Sequence, residues 1–127
     1  MTPAALAWLS AFLFTQVVEI PIYVVALGRA SSAGATAPLD DLPSRLAAAF
    51  GASLVTHPIV WFVFPRLPLG SYEGMVAGAE TFAIVAEGIY FAALGAMRIR
   101  SAMLWSLGAN LTSVTLGLLS RHFFGWP

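Results

Sequence analysis

Glu19, His57, Glu80 and Glu87 are titratable side chains set inside apolar runs, and Asn110 is an amide inside the last of those runs. Carboxylates and an imidazole in such surroundings have three chemistries open to them: carrying a proton, holding a hard cation through oxygen, or pairing with one another. Placing an ionised carboxylate at the centre of a bilayer costs about 2.5–3.5 kcal/mol on insertion scales. Something must therefore compensate Glu19 and Glu87, and a proton or a cation is the simplest candidate.

The neighbours of these groups fit that chemistry. Tyr23 lies one turn from Glu19 and Tyr90 about one turn from Glu87; Thr56 adjoins His57, and Ser113 follows Asn110 by three residues. All of these can donate hydrogen bonds to an acid. Pro21 and Pro58 remove helix donors, which predicts freed carbonyls at Val17 and Leu54, open to a cation as oxygen ligands or equally to water or a Thr hydroxyl. Glu73, Glu80 and Glu87 recur every seven residues and mark an acidic track from one rim inward.

Two ligand sets are expected from these residues: a proton- or ion-binding group of Glu19, Glu87, His57, Glu80, Asn110, Tyr23 and Tyr90, and a metal set of Glu19, His57 and Glu87. An O/N set of that kind suits Mn, Fe or Zn within a four-helix bundle, although the Glu-x-x-His pair used by soluble carboxylate bundles is absent from the chain. His122, beside Arg121 near the far rim, is too distant to join His57. No nucleophile motif supports an enzyme, and no nucleotide, haem or nucleic-acid signature is present.

The elements that must position these groups follow from composition. The chain has 127 residues, 59% hydrophobic and 9% charged. A soluble domain is usually about a quarter charged. Four runs reach the roughly 20 residues needed to cross a bilayer: 4–27, 46–64, 75–97 and 103–124. The reading is an all-α integral membrane four-helix bundle in a single domain, with the lipid bilayer as its first partner and a homo-oligomer or a membrane partner subunit as the next. The first run lacks a basic leader and contains Glu19 and Pro21, so it reads as a retained helix and not a secretory signal.

There is no Cys, which removes thiolate and disulfide chemistry, and no Lys, which removes Schiff-base chemistry. Arg29, Arg45, Arg98 and Arg100 mark one end of the helices, against Arg66 and Arg121 at the other. The positive-inside rule then places both termini outside the cytoplasm, in a cell inner membrane. Counted from the nearest arginine of the first set, Glu19, His57, Glu87 and Asn110 all fall about 15–18 Å deep, one polar side chain per helix in a shared layer.

Two segments repeat. Ser44–Thr56 (SRLAAAFGASLVT) lies over Ser101–Ser113 (SAMLWSLGANLTS), and Val17–Arg29 resembles Val85–Arg98 with a one-residue slip that pairs Tyr23 with Tyr90. The reading is a duplicated two-helix hairpin in which Glu19 matches Glu87 and Ser53 matches Asn110. Gly74, Thr81, Gly88 and Gly95 form a heptad of small residues expected to seam the third helix against a neighbour. Trp8, Trp61, Trp105 and Trp126 read as interfacial anchors or lipid-facing bulk, and not as a cofactor box. The segment from Arg29 to Ser44 reads as a loop, with Asp41 and Pro43 starting the second helix.

The functional expectation is proton or cation transport through the Glu/His/Asn layer. An intramembrane metal protein and an accessory or scaffold subunit are the alternatives.

Overall fold

A computed structural model describes residues 2–126. The chain forms four α-helices: α1 (Pro3–Ser32), α2 (Leu42–Phe62), α3 (Tyr72–Ala93) and α4 (Ile99–Phe124), with a short 3₁₀ turn at Phe64–Arg66. Each is long and apolar enough to cross a membrane.

Local chemistry explains the boundaries. Thr2 caps α1 by accepting from Ala5 N at 3.3 Å, Asp41 caps α2 from Ser44 N at 2.8 Å, and Ser71 caps α3 from Gly74 N at 3.1 Å. α1 runs past the expected end at Leu27 to Ser32, because Arg29-Ala-Ser-Ser contains no breaker and the Ser32 hydroxyl bonds back to the Gly28 carbonyl at 3.2 Å. α3 stops at Ala93 and not at Met97. Gly95 takes a left-handed φ of 69° there, and its carbonyl accepts from Ala37 N at 2.9 Å, tying this turn to the α1–α2 loop. Gly95 is thus a turn residue, and Thr81 is exposed, so the small-residue heptad does not form one continuous seam. Its working member is Gly88, where an added Cβ would lie 2.5 Å from Met103 Sδ of α4.

The helices pack as a ring in which α1 meets α2 and α4, α3 meets α2 and α4, and α1 lies diagonally across from α3. The outer surface is strongly apolar: Val17 is 74% and Leu104 70% exposed, with Leu6, Leu13, Ile89 and Leu118 also outward. The interior is built from small and polar residues. Tyr23, Ala26, Leu27, Ala49, Ala52, Phe91, Ala96, Met97, Ala102 and Ala109 fill the half nearest the α1–α2 loop, where the Tyr23 and Phe91 rings meet at 4.7 Å. The other half is not filled in this way.

Candidate functional site: two carboxylates in a one-sided cavity

Glu19 and Glu87 are each 1% exposed, on diagonal helices at the floor of the unfilled half. Glu87 receives donors from all three other helices. Thr56 Oγ1 of α2 donates to its Oε1 at 2.8 Å; Asn110 Nδ2 of α4 donates to its Oε2 at 2.8 Å; Tyr23 of α1 donates to the same oxygen. Ser106 Oγ stands 3.5 Å from that oxygen. Glu19 receives two, Ser53 Oγ of α2 and Ser113 Oγ of α4, each at 2.6 Å. Every donor is neutral.

The two groups are linked through the chain. Ser113 Oγ, besides bonding Glu19, reaches the Asn110 carbonyl at 3.1 Å, and the Asn110 amide bonds Glu87.

A cavity of about 230 Å³ extends from this network to the rim at the end of α4. Thr15, Glu80, Trp61, Tyr72, Gly117 and Arg121 are among the residues that line it. The space suits a small ion with part of its hydration, a water in bulk occupying about 30 Å³. On the opposite side the Tyr23–Phe91 pair and the alanine-rich core beneath it lie between the carboxylates and the Arg29/Arg98 end. The acidic track is graded as its spacing implies: Glu73 exposed, Glu80 half-buried, Glu87 buried.

Several expected residues sit elsewhere. Tyr23 hydrogen-bonds Glu87 across the bundle, not Glu19 on its own helix. Tyr90 makes no hydrogen bond to Glu87 among the described residues; its hydroxyl fills the space over Gly51, 2.6 Å from where a Cβ would stand. His57 lines the cavity, but its Nδ1 has no hydrogen-bond partner among the described residues, and its ring stacks on Trp61 and packs against Phe12 at 5.3 Å between centroids. Among the described residues no three His, Cys, Asp or Glu converge to hold a metal, so the Glu19/His57/Glu87 ligand set is not assembled. The physical reason is that the imidazole lies in an aromatic cluster with Trp8, Phe12 and Trp61, which also makes Trp8 and Trp61 interior-facing partners and not simple anchors. Val17 and Leu54 lie on outward faces and do not line the cavity.

Ser106 and Gln16 were not evident in the sequence. Ser106 stands one turn before Asn110, a spacing that puts both on one helix face. Gln16 is 5% exposed, three residues before Glu19, and neither amide atom has a hydrogen-bond partner among the described residues. Its signal was the same i, i+3 spacing. Comparison with protein-family models, with curated proteins and with solved structures returns no match.

Proposed function

We propose that the chain is a four-helix membrane protein that takes up a proton or small cation at the Glu19–Glu87 pair from the side bearing Arg121, as part of transport across the membrane. The observation that carries this reading is the pairing of two fully buried carboxylates with neutral donors alone, at the closed end of a cavity. Two ionised carboxylates without a cationic partner are too costly for an apolar bundle, so positive charge must come from outside the chain. The cavity is the route along which it arrives.

The membrane assignment is supported by the inverted distribution of side chains, large apolar residues outside and small or polar ones inside, which leaves too much exposed apolar area for water. With the arginine-rich end cytoplasmic, both termini and the cavity mouth face away from the cytoplasm, in the inner-membrane orientation that the arginine bias favours.

A duplicated hairpin is supported by the network. At an offset of 57, Ala49, Ala52, Ser53 and Thr56 of α2 correspond to Ser106, Ala109, Asn110 and Ser113 of α4, and all eight are buried. Glu19 accepts from Ser53 and Ser113, whereas Glu87 accepts from Asn110 and Thr56. Exchanging the halves maps these four donors onto one another, while the Tyr23 bond to Glu87 has no Tyr90 counterpart at Glu19 among the described residues. Two half-equivalent acceptor sites are a natural arrangement for handing one ion between two states.

The test is flux in proteoliposomes under an imposed proton or cation gradient. Glu19→Gln and Glu87→Gln are each expected to lower it by about tenfold or more, the effect of roughly 1.4 kcal/mol on the barrier. Unchanged flux in both variants rejects transport at this site. The well-formed donor set around Glu87 favours one second reading, an accessory subunit in which the carboxylates hold the helices in register. That reading predicts no flux in the unaltered protein and a lowered melting temperature in both variants.

A further inference from the structure

A second recess lies on the opposite end of the molecule, between α1 and the start of α2, lined by Val24, Val25, Gly28, Arg29, Ser32 and Arg45. Its chemistry is the reverse of the glutamate cavity. Arg29 and Arg45 are among the residues that line it, and no acidic residue is. Arg45 reaches over from α2 and donates through Nε to the Leu39 carbonyl at 2.6 Å and through a terminal nitrogen to the Asp40 carbonyl at 3.1 Å. Gly28 makes this reach possible, since a Cβ there would stand 2.9 Å from Nη1 of Arg45. Arg29, the next residue, lies over the Trp105 ring at 5.5 Å and is exposed.

The nearest acid by sequence, Asp41, is engaged in capping. It accepts from Ser44 N and from Ser44 Oγ, and these bonds hold its carboxyl below the usual range, with the charge of Arg45 the weakest contribution. Among the described residues neither arginine hydrogen-bonds a carboxylate. The same end also carries Arg98 and Arg100. The recess thus has two arginines that hydrogen-bond no carboxylate among the described residues, and on the side toward the middle of α1 the apolar side chains of Val24 and of Val25, which is 50% exposed.

We infer that this recess binds the phosphate of an anionic phospholipid from the leaflet next to the α1–α2 loop, with Arg29 and Arg45 on the headgroup and Val24 and Val25 along its acyl chain. Charge complementarity selects an anion, since guanidinium matches phosphate geometry. The adjoining Val24 and Val25 side chains select a lipid over a free anion. The inference depends on the chain spanning a bilayer but not on the glutamate network.

Native mass spectrometry of the full chain in detergent tests it, with phosphatidylglycerol and phosphatidylcholine of identical acyl chains as probes. Selective retention of one phosphatidylglycerol is expected, weakened about fivefold by Arg29→Gln or Arg45→Gln, as one arginine near an anionic surface implies. Val25→Trp, which fills the recess without altering charge, is expected to abolish retention, and Arg100→Gln, on the same rim but outside the recess, to leave it intact. Because Arg45 also secures the loop carbonyls, Arg29→Gln and Val25→Trp decide the matter if Arg45→Gln fails to fold. Equal retention of both lipids, equal weakening by Arg100→Gln, or complete displacement by millimolar inorganic phosphate overturns the inference.

Discussion

Removing a donor from a buried carboxylate leaves an oxygen lacking a partner, and the cost depends on how many other donors that oxygen keeps. Ser53 and Ser113 each serve a different oxygen of Glu19, so Ser53→Ala and Ser113→Ala are expected to destabilise by about 1–3 kcal/mol each. Ser106 stands at the long limit of hydrogen bonding from an oxygen that Tyr23 and Asn110 already serve. Ser106→Ala is therefore expected to cost less than about 1 kcal/mol. Denaturation midpoints in one detergent check the ranking, and a Ser106 variant as damaging as the Ser53 variant contradicts the network as drawn. At this scale the sequence exposed the acids, Asn110, Thr56 and Ser113, because polar residues stand out in apolar runs. It could not say that Tyr23 serves Glu87, since one turn along a helix and one step across a bundle are indistinguishable in a list of residues.

Helix contacts and caps set the next scale. Gly88 lies against Met103, so Gly88→Ala is expected to cost about 1–2 kcal/mol, largely restored in the Gly88→Ala/Met103→Ala pair. Absence of rescue in thermal unfolding would place the strain elsewhere. At the head of α2 the folded carboxyl of Asp41 titrates below its unfolded value, so its contribution is present above the unfolded pKa and lost as pH falls through the folded one. Asp41→Ala is accordingly expected to lower the melting temperature at neutral pH, with the difference from the unaltered protein vanishing in strong acid. Asp41→Asn, which retains a cap, shows less effect. Helix number and the Asp41 cap were legible from hydropathy and cap chemistry. The early stop of α3 was hidden, because Gly95 fits a helix heptad and a left-handed turn equally well until its φ is known.

For the whole molecule, the cavity opens at one end and the Tyr23–Phe91 layer closes the other. The chain contains no cysteine, so single replacements report access cleanly. Gly117→Cys, on the cavity wall, is expected to react with a membrane-impermeant maleimide added from the side of the termini, whereas Leu27→Cys, 1% exposed, is expected to be silent from both sides. Labelling of Leu27→Cys from the arginine-rich side would require a second opening. Composition and run lengths by themselves determined an all-helical chain of four long apolar segments, and the acids, His57 and Asn110 within them were conspicuous because burial of such residues is costly in any arrangement. Only the tertiary structure decided which helix faces which. That choice sent His57 into an aromatic cluster instead of to the carboxylates, removed the expected metal set, gave Glu19 and Glu87 separate donor sets, and closed the bundle on one side. Contacts across a bundle depend on rotation and register, and a pattern along one helix leaves both unspecified.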